Sequence, residues 1–496
     1  MISQALLEAR KYEEAFGNRV GEEEKPAFHL APRLGWMNDP NGFCFYQGKY
    51  HLFYQYYPYD SRWNYMHWAH AVSTDLLHWE HLPAALAPDQ PYDYWGCFSG
   101  SAVELPDGRH LLMYTGVRTE RGKNGRNHEV QTQCIAIGDG KDYEKYEGNP
   151  VLDEKDLPEG NSRIDFRDPK ILPWKDGKYL ALIGSRPADG SGEILIYEST
   201  DCLHWSYVKP LASNRNRFGK MWECPDFFFL DGKWVLLTSP QDMLPKGFEY
   251  HNGNGTLCLI GDLEEDSLTF TEEADQSVDY GIDFYASQTI LTPDGRRVMI
   301  GWMQNWDACA IREPEEPWAG QMSLPRELSL RNGRLYQWPI RELLSMRRDE
   351  VSYEDILVSG KKVLPGVEGR MIDMELSIRP VPGTAMYQKF SILFAENEEY
   401  HTGISFRPAE STLKVDRKFS GSRRAIIHQR RAKVQPKDGE LSLRIILDRY
   451  SVEVFVGEGE QVLSATLYTE QCAKGISFAC VGGEALLSLK KWNLVL

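Results

Sequence analysis

ILPWKDGKYLALI, residues 171–183, reads as a strand, a tight turn and a second strand, and the same pattern returns along the chain. Its Asp-Gly pair predicts a hairpin, because glycine adopts positive φ without strain. Four further segments share the pattern: FCFYQGKYHLFYQ around Gly48, VELPDGRHLLMYT around Gly108, FFFLDGKWVLLTS around Gly232 and ILTPDGRRVMIGW around Gly295. Successive turn glycines lie 60, 69, 55 and 63 residues apart.

Five similar units of roughly four strands each predict a five-bladed β-propeller, which is built by radial repetition of four-stranded blades. A second repeat agrees with this, since STDLLHW at Ser73–Trp79 returns as STDCLHW at Ser199–Trp205. The alternative is a plain β-sandwich with several hairpins. A sandwich places turns every ~8–12 residues and gives no reason for a period near sixty, so the propeller is favoured.

Carboxylates occupy the same place in three of the five units. The residues nine positions before the turn glycines are Asp39, Ser99, Asp168, Glu223 and Ala286. The first strand of each propeller blade runs beside the central channel, so equivalent positions on these strands converge near the axis. The sequence therefore predicts one site that contains Asp39, Asp168 and Glu223.

The surroundings of these acids favour catalysis over a solvated turn. A proline follows each of them within two residues, in WMNDPNG, DFRDPK and MWECPD, and proline interrupts regular strand pairing. Carboxylates packed together cannot all ionise freely, so at least one pKa is expected to rise. A protonated acid beside an ionised nucleophile is the division of labour that glycosidases use.

Composition excludes several other classes. The 496 residues are enough for two or three domains. A net charge of -16 argues against nucleic acid. The N-terminus lacks the pattern of a secretory signal, no segment is apolar enough for a membrane, and the nine cysteines are scattered. We therefore expect a cytoplasmic protein with no metal and no cofactor, and His67 and His70 are interpreted as structural. A homo-oligomer stays open.

The C-terminal part predicts a second β-domain. LSLRIIL and SVEVFV, residues 441–447 and 451–456, alternate apolar and polar side chains as half-buried strands do. WPIRELLSMRRDE, residues 338–350, reads as a short linking helix. The predicted organisation is an N-terminal helical extension (1–25), a propeller (26–337), a linker helix (338–350) and a β-sandwich (351–496).

The motifs WMNDPNG, FYQYYP, FSGS, FRDP and ECPD stand here in the order of glycoside hydrolase family 32, and the chain resembles that family from about His29 to the C-terminus. The family contains the β-fructosidases: invertases, sucrose-6-phosphate hydrolases, inulinases and levanases. The resemblance implies a five-bladed propeller followed by a β-sandwich, in agreement with the repeats. In SRWNYMHWAHAVS, Asn64 and Ala69 replace glycines of many relatives, which affects the expected leaving-group side.

The resemblance also implies roles for the acids. Asp39 matches the nucleophile that attacks the anomeric C2 of fructose, and Glu223 matches the general acid/base. Asp168 matches the transition-state stabiliser that hydrogen-bonds fructose hydroxyls. The expected substrate-binding positions are Trp36, Asn38, Gln55, Trp63, Phe98, Ser99, Arg167, Tyr285 and Trp302, of which Tyr285 and Trp302 match more loosely and fit the core as well.

The expected function is retaining hydrolysis of terminal β-D-fructofuranosyl residues from sucrose and short fructooligosaccharides, with a small-molecule fructoside as partner. Several alternatives stay open: a sucrose-6-phosphate hydrolase, an exo-acting inulinase or levanase, an inverting arabinan- or xylan-cleaving propeller, and an inactive sugar-binding propeller. Transfer of fructose to a sugar acceptor is a further outcome of a covalent intermediate.

Overall fold

A computed structural model describes residues 2–122, 125–309, 316–421 and 427–496. Five antiparallel sheets of four strands follow one another along the chain as blades. Blade 1 contains β1 (Gly35–Tyr46), β2 (Lys49–Tyr57), β3 (His67–Ser73) and β4 (Trp79–Leu86); blade 2 contains β5 (Gly96–Glu104), β6 (His110–Arg121), β7 (Asn127–Gly138) and β8 (Tyr143–Lys145); blade 3 contains β9 (Phe166–Pro173), β10 (Tyr179–Ser185), β11 (Glu193–Ser199) and β12 (Ser206–Ser213).

The last two blades complete the ring. Blade 4 contains β13 (Trp222–Leu230), β14 (Lys233–Pro240), β15 (Leu257–Glu264) and β16 (Thr269–Ser277); blade 5 contains β17 (Tyr285–Leu291), β18 (Arg297–Trp302), β20 (Arg326–Arg331) and β21 (Arg334–Pro339). The short strand β19 (Trp318–Ala319) leaves blade 5 and pairs in parallel with β1. This pairing joins the last blade to the first. The predicted five-bladed propeller is confirmed.

The five turn glycines explain the repeat. Each lies in the turn between the first two strands of its blade, with φ between +71° and +89°. A side chain would strain this conformation, whereas glycine adopts it freely. The hairpin pattern in the sequence therefore marks the turn between the first two strands in each of the five blades.

An N-terminal helix, α1 (Gln4–Phe16), packs on blade 1. The Ser3 side chain caps it by accepting a hydrogen bond from the Leu6 N–H. Buried Glu13 accepts the Ala84 N–H at 3.0 Å, which ties the helix to β4. Among the described residues, no helix is long and apolar enough to cross a membrane.

The connection to the second domain is shorter than the helix predicted over 338–350. It is a 3₁₀ helix over Arg341–Met346. Trp338 and Pro339 belong to β21, where Trp338 pairs with Glu327 of β20. Strand pairing satisfies the backbone groups on one side of the connection, and the next strand begins at Arg347. Only two turns of 3₁₀ helix remain between them.

The C-terminal domain is one sheet that folds over itself into two layers around an apolar core. Its strands are β22 (Arg347–Lys362), β23 (Ile372–Pro380), β24 (Lys389–Glu396), β25 (His401–Arg407), β26 (Thr412–Phe419), β27 (Gln429–Lys433), β28 (Leu441–Asp448), β29 (Ser451–Val456), β30 (Gln461–Thr466) and β31 (Gly475–Leu494). The long β31 pairs with β24 near its start and with β23 near its end. It therefore joins the two layers.

Strands β28 and β29 are buried on both faces, not on one as their alternation predicts. The face with Leu443 and Val454 lies in the sandwich core. The opposite face carries Ile446 and Phe455, which pack with residues of blades 1 and 5. The propeller thus covers the face that the sequence pattern leaves to solvent.

A buried ionic network crosses the same interface. The His29 ring bonds Asp448 at 2.8 Å through Nδ1 and Glu453 at 3.0 Å through Nε2. Arg326 of blade 5 donates to Glu453 at 2.9 Å and to Asp279 at 3.0 Å. Burial opposes a charge on His29, but its hydrogen bonds to Asp448 and Glu453 overcome this and raise its pKa to about 9. The propeller and the sandwich are therefore joined by paired charges.

Replacing His29 with glutamine is expected to lower the free energy of unfolding by about 3–5 kcal/mol, because buried Asp448 loses the cation that pairs with it. The folded-state pKa of His29 lies above the unfolded value of 6.5. Its stabilisation is therefore complete below pH 6.5 and is lost as the pH rises through about 9. Denaturant unfolding between pH 6 and 9.5 measures both effects. His78→Gln, at an exposed pair with Asp75, is the control; a His29 variant with unchanged stability and pH dependence contradicts the network's role.

Candidate active site

A β-bulge interrupts the first strand of every blade at the same level. One extra residue is inserted in each, within 37–40, 98–100, 167–170, 223–226 and 285–288. Bulges bend a strand and re-aim its side chains. The prolines that follow Asp39, Asp168 and Cys224 stand in three of these bulges, where their missing N–H groups cost little pairing. The nine-residue register of the sequence thus corresponds to five equivalent bulges around the axis.

Two of the acids meet at Cys224. The Cys224 thiol lies 3.5 Å from Oδ2 of Asp39 and 3.6 Å from Oδ2 of Asp168. The backbone N–H of Cys224 donates to the same Asp168 oxygen at 3.0 Å. Burial, and next the charge of Asp168, raise the pKa of this thiol well above its ordinary value, so it stays protonated as a donor. Cys224 is therefore part of the site as well as of the packing.

Glu223 is held from two sides. Nε of Arg167 donates to Oε1 at 3.0 Å, and the Tyr285 hydroxyl donates to Oε2 at 2.6 Å. Arg167 also donates to Asp165 at 3.1 Å. Both contacts of Glu223 join different blades, because β9, β13 and β17 supply Arg167, Glu223 and Tyr285. The guanidinium thus fixes Glu223 next to Asp168.

Asp39 is surrounded by neutral donors. The Ser99 hydroxyl donates to Oδ2 at 2.7 Å and the Asn38 amide donates to Oδ1 at 3.1 Å. Burial and the charge of Glu223 raise the pKa of Asp39 to about 6, although these hydrogen bonds oppose the rise. The same two causes raise the pKa of Asp168 to about 7 against the charge of Arg167. Asp39 and Asp168 therefore hold protons at higher pH than isolated carboxyl groups do.

The acids open into a cavity of about 530 Å³, within the size range of small-molecule sites. Six of the predicted substrate-binding residues line it with the acids: Asn38, Gln55, Trp63, Phe98, Ser99 and Arg167. Trp63 is 39% exposed and meets Phe98 edge to face, at 6.0 Å between ring centroids. A flat aromatic face at an open rim suits stacking against a sugar ring.

Three other predicted substrate-binding residues lie behind the residues that line the cavity. Trp36, Tyr285 and Trp302 are 4%, 0% and 0% exposed and pack together in one apolar cluster. Trp36 still supports the site, because its Nε1–H donates to Asn38 at 2.7 Å. Tyr285 supports it through Glu223, and Trp302 stacks edge to face on Trp36. The structure therefore places these three in the supporting core and not on the cavity surface.

Polar contacts between the blades close the channel under the acids. Ser101 of β5 donates to the Pro169 carbonyl at 2.7 Å, and the Gln288 amide donates to the Gly100 carbonyl at 2.8 Å. Lys170 of β9 lies 3.2 Å from Asp226 of β13. Inner strands of four blades take part in these contacts. The site is therefore a pocket with a floor and not an open channel.

In the described residues, no group of three or more His, Cys, Asp or Glu side chains has the arrangement of a metal site. The pair predicted as structural, His67 and His70, is buried. His70 contacts His51 at 3.0 Å and stacks on Phe53 at 4.0 Å between ring centroids.

The sequence comparison agrees with this geometry over nearly the whole chain. Residues 29–339 match the family model of the glycosyl hydrolases family 32 N-terminal domain, and residues 342–493 match that of the family 32 C-terminal domain. The chain belongs to glycoside hydrolase family 32. It is a glycoside hydrolase of the β-fructofuranosidase family, as its motifs predicted.

Relatives of this family 32 protein carry different names. It is 37% identical to a raffinose invertase of Escherichia coli, over 98% of both chains. It is 34% identical to a sucrose-6-phosphate hydrolase of Zymomonas mobilis, over 99% of this chain and 96% of the relative. The structure of the Bombyx mori family 32 β-fructofuranosidase BmSUC1 superposes with a TM-score of 0.84 at 35% identity, covering 99% and 98% of the two chains. A mutant of BmSUC1 was solved in complex with sucrose.

The family 32 pocket also contains residues that the sequence reasoning missed. They are Glu129, Gln131, Ile164, Asp165, Gln241, Asp242, Asn254 and Trp306. Glu129 and Gln131 had a signal in NHEVQTQC, where polar residues alternate inside a strand next to an apolar core. The others lie at strand ends or in loops, where no such periodicity exists.

Proposed function

We propose that this protein is a retaining β-fructofuranosidase that releases the non-reducing terminal β-D-fructofuranosyl residue of sucrose and short fructooligosaccharides. The observation that carries the proposal is the convergence of three acids from three blades in one pocket. Asp39 and Asp168 both contact the Cys224 thiol, and Glu223 accepts a hydrogen bond from Arg167. Two of these carboxyl groups have raised pKa values. Neighbouring carboxyl groups with pKa values raised in this way suit acid–base cleavage of a glycosidic bond.

In the proposed mechanism, the ionised Asp39 carboxylate attacks C2 of the fructosyl group. Glu223 gives its proton to the leaving oxygen, and the C2–O bond breaks to leave a fructosyl ester on Asp39. Glu223 then takes a proton from water, which attacks C2 and frees Asp39. Two displacements retain the anomeric configuration, and the carboxyl groups of Asp39 and Glu223 are predicted to lie about 5–5.5 Å apart.

The partners of each acid support its proposed role. The short hydrogen bond from Ser99 stabilises the charge that Asp39 needs for attack. The Arg167 guanidinium and the Tyr285 hydroxyl orient the Glu223 carboxyl group, which delivers the proton to the leaving oxygen in the proposed mechanism. Asp168 retains one oxygen for fructose hydroxyls while the Cys224 N–H and thiol hold the other.

The closed floor supports cleavage at a chain end. Because contacts between blades close the channel beneath the acids, a long fructan cannot pass through the pocket and only its terminal fructose reaches Asp39. An exo-acting inulinase or levanase uses the same geometry, and a levanase of Bacillus subtilis is 34% identical over 99% of this chain. Chain-length preference therefore depends on the rim.

Proton NMR of sucrose hydrolysis tests the proposal. Fructose is expected to appear first as the β-furanose and to mutarotate afterwards, as double displacement requires. Kestose and levan oligomers in the same panel measure chain-length preference. First appearance of α-fructofuranose contradicts the retaining mechanism, and no fructose from any member contradicts the hydrolase.

Replacing Ser99 with alanine is expected to move the acidic limb of kcat/KM to higher pH by about one unit, because a hydrogen bond to a charged group is worth roughly 1.5–3 kcal/mol. Protonated Asp39 cannot attack, so wild-type activity should fall as the pH drops through about 6. The measurement is a pH profile of kcat/KM for sucrose.

The matched control for that variant is Ser101→Ala, on the same strand, since Ser101 donates to the Pro169 carbonyl and touches no acid. This variant should not shift the acidic limb of the kcat/KM profile. A Ser99 variant that loses activity equally at every pH would show that Ser99 does not act through the ionisation of Asp39.

A further inference from the structure

The outer part of the active-site pocket has two kinds of wall. Apolar surface comes from Trp63 and Ile164, which are 39% and 36% exposed. Carboxylates come from Glu129 on β7 and Asp242, which follows β14. Under the proposed function, on which this inference rests, fructose occupies the inner pocket around the three acids. The leaving group therefore faces these outer walls.

The charge on this outer side is negative. Within the described ranges, no ion pair or side-chain hydrogen bond forms at the carboxylates of Glu129 and Asp242. Arg167 is the one basic side chain among the described residues that line the pocket. Its guanidinium is already bonded to Glu223 and Asp165. It is thus engaged at the inner acids and does not face the leaving group as an unpaired cation.

We propose that Glu129 and Asp242 determine specificity by selecting an uncharged sugar as the leaving group and rejecting a phosphorylated one. Carboxylates only accept hydrogen bonds, and sugar hydroxyls donate them. A phosphoryl group carries roughly -1.5 to -2 charges at pH 7 and cannot donate when fully ionised. Repulsion of the phosphoryl group lowers the hydrolysis of phosphorylated substrates relative to uncharged ones, without any change in how fructose binds.

The relatives leave this choice open, because a raffinose invertase and a sucrose-6-phosphate hydrolase are similarly identical to this chain, at 37% and 34%. The charge of the outer walls decides between the two leaving groups. A non-phosphorylated disaccharide such as that of raffinose satisfies the same acceptors. The predicted substrates are sucrose and its neutral extensions.

The test compares kcat/KM for sucrose, raffinose and sucrose 6-phosphate at low ionic strength. Sucrose is expected to exceed sucrose 6-phosphate at least tenfold. In the double variant Glu129→Gln and Asp242→Asn, the ratio of sucrose 6-phosphate to sucrose should rise at least fivefold. Added salt should raise the same ratio in the wild type, because the Debye length shortens to about 10 Å at 0.1 M and the repulsion between exposed charges weakens.

The control is Asp107→Asn with Glu120→Gln, which removes the same charge from exposed positions of blade 2 that do not line the pocket. It should leave the substrate ratio unchanged. Equal or faster hydrolysis of sucrose 6-phosphate by the wild type overturns the specificity assignment alone. An unchanged ratio in a folded double variant, or the same change in the control, also overturns it. Release of no fructose from any sugar overturns the proposed function as well.

Discussion

Replacing Asp39 with alanine is expected to lower kcat/KM for sucrose by at least about 10⁴-fold, because the covalent route ends without its nucleophile. Asp39 lies in the bulge of β1, and Ser99 and Asn38 orient both of its oxygens. No other carboxylate of the cluster has this position, so a neighbour cannot take its role. Steady-state kinetics on the purified variant measure the loss.

The companion variant Asp39→Asn separates chemistry from packing. Asparagine keeps the shape of the side chain but cannot form the fructosyl ester, so its loss should match that of alanine. Calorimetric titration with sucrose should still detect binding, because the other lining residues remain. A residual activity above about 1% of wild type in both variants would mean that Asp39 positions the substrate and does not attack it.

Glu223→Gln is expected to lower kcat/KM for sucrose by about 10²–10⁴-fold, the usual contribution of a general acid–base. Glutamine keeps one acceptor oxygen, which can accept from Arg167 or from Tyr285 but not from both, so the geometry is partly kept. It cannot protonate the leaving oxygen. The loss should therefore be much smaller for an aryl β-fructofuranoside, whose leaving group departs without a proton.

Azide provides the second readout for Glu223. An anionic nucleophile needs no general base to attack the fructosyl ester, so azide should restore turnover of the aryl substrate and yield a β-fructosyl azide. Tyr285→Phe is the matched control, because it removes a contact with Glu223 while leaving the carboxyl group. Equal losses on both substrates with no effect of azide would assign Glu223 to substrate binding.

The losses of kcat/KM caused by these substitutions are not expected to be additive. Asp39, Asp168 and Glu223 share Cys224 and Arg167 as neighbours, and the charge of Glu223 raises the pKa values of the other two. Removing that charge in Glu223→Gln should lower the pKa of Asp39 and move the acidic limb of the remaining activity below pH 6. The pH profile of the variant thus reports on the coupling.

Much of the fold was readable from local patterns. An Asp-Gly turn and a period of two act over a few residues, so five hairpins and a period near sixty predict five blades. The same register predicts that Asp39, Asp168 and Glu223 share a site, because equivalent inner strands converge at the axis. The family motifs added the proposed roles but not the number of blades.

Other features depended on contacts between distant segments. Trp36, Tyr285 and Trp302 lie in the core, whereas Trp306 reaches the pocket. An aromatic residue gives the same signal in the sequence in both cases, because its exposure depends on what neighbouring blades place in front of it. The buried outer face of β28 and β29 has the same explanation, since only docking of the propeller covers it.

The sequence by itself determined the propeller, the following β-domain and the identity of the three acids, because turn chemistry and strand register are local properties of the chain. Only the tertiary structure decided the rest: the bulges that aim the acids, the contacts that close the floor, and the carboxylates of Glu129 and Asp242 in the wall of the pocket. These features arise between blades. They depend on distances that no spacing along the sequence specifies.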